Sequence, residues 1–149
     1  MIIYKDNSIL NCDEQYLIHQ CNCTSKHSKG LAKLIFDKYS NSNTYINLNY
    51  KRQQGTISYH INSNLNKIII NMYAQLYPGK SNLTNDTKEN RIYWFKCCLN
   101  VISKIGTITS IAVPYKIGCG LAGGDWNEYI NILEQFSKEN NINIIIYKP

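Results

Sequence analysis

The sequence predicts a β-sheet covered by helices on each side. Segments of strand-like and helix-like periodicity alternate along the chain, several strand segments are apolar on both faces, and no internal repeat or low-complexity linker interrupts them. A single domain over residues 1–149 follows, long enough to bury roughly 68–70% of its unfolded surface without a covalent staple.

The elements are read in order. Ile2 to Tyr4 and Tyr16 to Cys21 are buried strands, the second running into a polar stretch from Asn22 to Lys29. Leu31, Leu34, Ile35 and Tyr39 then recur at helical spacing. Residues 40–54, rich in Asn, are expected to form a loop with a short helix at most. Gly55 to Ile61 and Lys67 to Tyr73 are two further strands, joined by a turn at Ser63-Asn64. The run from Asp86 to Lys104 places Ile92, Phe95, Leu99 and Ile102 on one helical face, with Thr84 or Asn85 as its N-cap. Ile108 to Pro114 is a fifth strand, Trp126 to Ser137 a helix with Tyr129, Ile132, Leu133 and Phe136 on one face, and Ile142 to Tyr147 a closing strand.

Hydrophobic residues are 44% of the chain and fall in short clusters, which excludes a spanning helix. The amino-terminal segment runs directly into a strand without a signal-peptide pattern, so an intracellular protein without membrane contact is expected. In that setting the six cysteines are expected to be free thiols. His19, Cys21 and Cys23 would share one strand face and could imitate a metal site, but no second ligand pair has metal-site spacing; no metal or cofactor is expected. The net charge of +6 favours an anionic partner.

The informative segment is Ile117-Gly118-Cys119-Gly120-Leu121-Ala122-Gly123-Gly124-Asp125-Trp126, between a strand and a helix. Gly118, Gly120 and Gly123 fit G-x-G-x-x-G, and such a loop brings backbone N–H groups close to a phosphate at a helix N-terminus. A nicotinamide-binding domain would need an acidic residue about 20 positions on, at the end of the next strand. That strand is followed by Lys148-Pro149. The loop is therefore read as a diphosphate cradle outside a dinucleotide fold.

Two more segments matter. Leu17-Ile18-His19-Gln20-Cys21-Asn22-Cys23 is a strand ending in a polar tip, followed by Gly30-Leu31-Ala32 at a helix start; Asn71-Met72-Tyr73-Ala74-Gln75 ends in a similar way. With Pro114 and the glycine loop, these resemble the macro domain family over nearly the whole chain, closest to the branch of ADP-ribose-1''-phosphate phosphatases and terminal ADP-ribose protein glycohydrolases. The resemblance implies a three-layer α/β/α sandwich with a mixed central sheet and a crevice for ADP-ribose at the strand ends. It assigns Asn22 to the distal ribose, Gly30, Leu31 and Ala32 to the first phosphate-side loop, and Pro114, Ile117, Gly118, Cys119, Gly120, Leu121, Ala122 and Gly123 to the second. Asn7 stands where the family usually has an adenine-binding acid, with Asp6 the alternative register. Tyr147 matches an aromatic position beside the adenine.

The catalytic pattern departs from the relatives. The glycohydrolases use a Lys after the fourth strand and an Asp in the glycine loop, and here Ala74 or Gln75 and Ala122 stand at those positions. The other hydrolytic branch has an Asp after the first glycine cluster, where this chain reads Gly30-Leu31-Ala32-Lys33. Asn22, His27 and Asp125 remain as catalytic candidates. His27 lies in the polar phosphate-side loop, where an imidazole suits general acid or base work. Asp125, with Glu128 three residues on, also forms an acidic capping box, and His19 reads as a satisfied core residue. Lys26, Lys29 and Lys80 could attract a terminal phosphate. The expected activity is ADP-ribose binding with dephosphorylation of ADP-ribose-1''-phosphate, by a monomer. The alternatives are a non-catalytic reader, or a hydrolase removing ADP-ribose from modified protein or nucleic acid. Direct nucleic-acid binding is a weaker reading, because Tyr and Trp fall at core spacing instead of interleaving with Lys and Arg.

Overall fold

Alternation of period gives six strands and three α-helices in a computed structural model that describes residues 1–149. The strands are β1 (Ile2–Lys5), β2 (Tyr16–Asn22), β3 (Ile57–Asn62), β4 (Lys67–Gln75), β5 (Ser110–Pro114) and β6 (Asn143–Tyr147). The helices are α1 (Gly30–Lys38), α2 (Lys88–Ser103) and α3 (Trp126–Asn140). One sheet contains all six strands in the order β1-β6-β5-β2-β4-β3. Every pairing is parallel except β3 with β4, which form a hairpin closed by Asn66 in the left-handed region at φ 50°.

Each central strand buries both faces, so its side chains divide by parity between two cores. Tyr16, Ile18, Ile70, Met72, Ile111, Val113, Ile144 and Ile146 enter the larger one, completed by Phe95, Leu99 and Ile102 of α2 and Tyr129, Leu133 and Phe136 of α3. Leu17, Cys21, Ile69, Tyr73, Ala112, Ile145 and Tyr147 enter the smaller one under Ile35 and Phe36 of α1, with Tyr39 and Tyr45. The result is the three-layer α/β/α sandwich with a mixed sheet.

Several boundaries differ from the periodicity: β3 runs Ile57–Asn62, β4 extends to Gln75, β5 starts at Ser110, and two helices shift. α2 begins later than Asp86, with Thr87 as N-cap accepting from the Asn90 amide at 3.0 Å. The Asn82 side chain accepts the amides of Thr84, Asn85 and Asp86 at 3.0, 3.2 and 2.9 Å, holding those peptides in a turn until Thr87. α3 runs on to Asn140 and stops where Asn141 adopts φ 52°. Residues 40–54 hold one 3-10 turn, Ser40–Ser42, yet they place Tyr45 in the smaller core.

Candidate functional site

β2 and β5 are neighbours in the sheet, but the chain leaves β5 through α3 toward β6 and leaves β2 through α1 toward the opposite edge. Divergence of the connections at that point opens a crevice beyond the strand C-termini. A cleft of about 840 Å³ lies there. Its floor is formed by His19, Gln20 and Asn22 of β2, Gln75 of β4 and Pro114 of β5. Residues 25–27 and 29–32, entering α1, form one wall, and residues 115–118 and 120–122 the other. Lys26, Lys29 and Lys116 are its charged side chains, His27 lies at the same mouth, and no carboxylate lines it. Such a surface attracts anions.

The glycine loop is closed on itself. The Cys119 amide donates to Lys116 O at 2.8 Å, Gly123 to Gly120 O at 3.1 Å and Gly124 to Gly118 O at 3.0 Å. The amides of Gly118, Gly120, Leu121 and Ala122 have no acceptor within the protein. Gly118 is required twice over: its φ is +76°, and a Cβ there would lie 2.8 Å from the Tyr129 ring. Across the cleft, α1 begins without a side-chain cap, so its first-turn amides are also unspent. The two walls touch where Gly30, at φ +59°, approaches Leu121 Cδ1; a Cβ at Gly30 would stand 3.2 Å from it. Backbone donors therefore flank the cleft on both sides, the arrangement that binds phosphate.

Asn22 ends β2 at a break in register: Cys21 pairs with Tyr73 but Asn22 with Gln75, so Ala74 is bulged out on β4. Its Oδ1 accepts from the Thr24 and Ser25 amides at 3.1 and 2.8 Å. That fixes the amide orientation and leaves Nδ2 as the free polar atom, so Asn22 can donate to a ligand while its acceptor is already used. His19 is interior. Asn71 Nδ2 donates to Ser42 O at 2.8 Å, so Asn71 Oδ1 is the acceptor that faces His19 Nε2 at 2.7 Å. Nε2 accordingly carries the proton, and burial lowers the His19 pKa to about 4 despite the Asn71 bond. The unfolded chain takes up a proton near about 6.5, so stability is intact above that pH and falls toward 4, by about 3 kcal/mol. In urea titrations the gap between wild type and His19→Gln is expected to narrow as pH falls from 7 to 4.5. A gap that stays constant with pH would show that His19 is not the group.

No family model matches the sequence, and no curated protein matches it. Solved structures do. The macrodomain of Mycobacterium tuberculosis DarG superposes with TM-score 0.75 at 23% identity over 100% of this chain and 98% of that one. The macrodomain of Thermus aquaticus DarG gives TM-score 0.76 at 16% identity over 100% and 99%. The chain has the macrodomain fold. Thermosipho africanus DarTG in complex with ADP-ribose is also similar, with TM-score 0.66 at 19% identity over 91% of this chain and 38% of that one.

On this macrodomain fold, Asn22, His27, Gly30, Leu31, Ala32, Pro114, Ile117, Gly118, Gly120, Leu121 and Ala122 share the cleft. The others do not line it. Asn7 is exposed in its own turn, accepting from the Ser8 amide at 2.8 Å. Tyr147 is buried in the smaller core, its hydroxyl donating to Glu14 Oε1 at 2.6 Å and accepting from the Asp13 amide at 3.3 Å, so its ring is not on the cleft wall. The aromatic side chains that are on it are Tyr45 and Tyr115. Cys119 turns its thiol onto Ile117 O at 3.3 Å. Gly123 and Asp125 border a separate void of about 20 Å³ behind the loop, with Arg91 and Glu128. Asp125 caps α3, accepting from the Asn127 amide at 3.0 Å, and Glu128 makes no reciprocal side-chain bond. That geometry is a cap and sets Asp125 apart from the other catalytic candidates.

One structural contribution was missed by periodicity. Arg91, 3% exposed, bonds Asp86 through Nε at 2.9 Å and Nη2 at 2.7 Å, and reaches Gly79 O at 2.9 Å and Ala122 O at 3.3 Å. It ties the segment after β4 to the glycine loop. A signal existed: Arg91 lies on the same helical stripe as Phe95, Cys98 and Ile102. Lys80, one of the three candidate phosphate partners, does not line the cleft but lies beside the loop: its Cγ would lie 3.1 Å from a Cβ on Gly123. Sequence register placed Ala74 or Gln75 where relatives have a lysine; in space, Lys80 of the loop after β4 reaches the glycine loop.

Proposed function

We propose that the cleft binds ADP-ribose and that the protein is a hydrolase acting at the distal ribose, with ADP-ribose-1''-phosphate as its substrate. The observation that carries this reading is the pairing of unspent backbone donors. The free loop amides of Gly118, Gly120, Leu121 and Ala122 lie opposite the uncapped start of α1 across a cleft with lysines and no carboxylate. A diphosphate satisfies those donors, and a cleft of about 840 Å³ is within the usual range for a ligand of this size. Asn22 Nδ2 then donates to an oxygen of the distal ribose. His27 takes a proton from water as the water attacks phosphorus; the P–O bond to the sugar breaks, the departing sugar oxygen takes a proton from solvent, and His27 releases its own to solvent. ADP-ribose and inorganic phosphate are the products. The loop amides and lysines oppose the charge that develops on the phosphoryl oxygens.

Release of inorganic phosphate from ADP-ribose-1''-phosphate by the purified protein tests the reaction. Asn22→Ala is expected to lower kcat about 100-fold and to raise KM only about tenfold, since the adenosine end still holds the ligand while the reacting end is misplaced. A raised KM with kcat intact would mean that Asn22 only binds. Binding without phosphate release would leave a reader module.

Lys80 favours a second reading, removal of ADP-ribose from a modified protein or nucleic acid. Its aliphatic stem packs beside Gly123, which puts a lysine next to the glycine loop. Release of ADP-ribose from such a conjugate, lost in Lys80→Met, would select this reading over the phosphatase.

A further inference from the structure

Asn22 is held by residues from a segment that has no periodicity and no place in the reading above. Its strand ladder shifts at the bulge between Cys21 and Asn22, and pairing resumes at Gln75 and at the Cys23 amide on Leu76 O. Four other hydrogen bonds hold it. Its N–H donates to Tyr45 Oη at 2.9 Å, its carbonyl accepts from Arg52 Nη1 at 3.2 Å, and its Oδ1 is taken by the Thr24 and Ser25 amides. Tyr45 is 4% exposed and packed edge-on against Phe36 at 5.2 Å. The Arg52 guanidinium stacks over the Tyr45 ring at 4.6 Å and forms no ion pair with any carboxylate. A partly buried guanidinium spent on a neutral main-chain carbonyl is an unusual use of a fixed charge, and it places that charge directly behind Asn22.

Resting on the reading that the distal ribose lies over Asn22, we propose that Arg52 and Tyr45 are positioning residues. They clamp the Asn22 peptide so that its one free polar atom, Nδ2, is presented as a donor to an acceptor oxygen of the distal sugar. Selection of ADP-ribose over ADP is then set by this clamp. The planar guanidinium both stacks and donates, which an ammonium group cannot do in one geometry. A phenol hydroxyl accepts the buried N–H that the bulge leaves without a strand partner.

The test is a calorimetric comparison of ADP-ribose with ADP, which lacks the distal ribose, on wild type, Arg52→Met, Arg52→Lys and Tyr45→Phe. Arg52→Met and Tyr45→Phe are each expected to weaken ADP-ribose about tenfold. Affinity for ADP stays essentially as it is, so the preference between the two ligands collapses, and Arg52→Lys restores part of it. A merely structural role would weaken both ligands alike or neither. Preserved discrimination in Arg52→Met, with wild type binding ADP-ribose, overturns the clamp alone. Failure of wild type to bind ADP-ribose removes the underlying reading and the clamp with it. Arg52 does not line the cleft or belong to a core cluster, so its variants keep the comparison valid even where Tyr45→Phe is too unstable to titrate.

Discussion

Gly120→Glu is expected to abolish ADP-ribose binding while leaving the fold intact. Gly120 has an ordinary φ, and a Cβ built on it meets nothing within 4 Å, so a side chain is accepted without strain. The carboxylate then stands in a cleft whose charged side chains are all cationic. A like charge at about 4 Å from a phosphate costs about 4 kcal/mol at the effective dielectric of a protein surface. Wild type binding at about 1 μM corresponds to about −8 kcal/mol, and the variant is expected to lose at least about 100-fold of that. Calorimetry reads the affinity, and a thermal melt without ligand confirms the fold. Equal binding by both proteins would put the ligand elsewhere. Gly118 is the contrasting position: substitution there meets both a positive φ and Tyr129, so lost binding would come with lost stability.

The second large effect is on stability. Arg91→Met is expected to cost about 3–5 kcal/mol, because it leaves Asp86 buried without its cation. Burial by itself would raise the Asp86 pKa, but bonds from Arg91 and from the Tyr77 and Leu76 amides, with the guanidinium charge, hold it below the usual range. The contribution is therefore present above the unfolded value of about 3.9 and is lost as pH falls through the lower folded value. In urea titrations the Arg91→Met deficit should be full at pH 7 and shrink below about pH 4. Adding Asp86→Asn to Arg91→Met should recover part of the loss at pH 7, since the uncompensated charge is gone. A small deficit that does not change with pH would mean that the pair is not the anchor it looks to be. Ala122 O loses its guanidinium partner in the same variant, so ADP-ribose affinity should fall with the stability.

The strands, the helices and the glycine loop were legible because their causes are local. Ile144 to Ile146 read as a strand buried on both faces, and they divide between the two cores as that reading requires. Gly118 read as a backbone position close to a ligand, and its positive φ and crowding against Tyr129 are the local reasons for a glycine. Asp125 read as a catalytic candidate and as half of a capping box with Glu128; it caps, without the Glu128 half. Each of these depends on residues within a few positions of one another.

What only the tertiary structure decided depends on pairs far apart in the chain. Tyr147 looked like a cleft aromatic, but Glu14 and Asp13 hold its hydroxyl inside the smaller core. Asn22 was expected to meet the distal ribose; the local turn takes its acceptor, and Tyr45 and Arg52, from the segment with the weakest pattern, take its peptide. Lys80 reaches the glycine loop although no register puts a lysine there. Hydrophobic period specifies which face of an element is buried, but not which polar groups from other elements will meet it there. Those meetings are set by strand order and by the requirement that every buried donor and acceptor find a partner, and both exist only once the sheet is assembled.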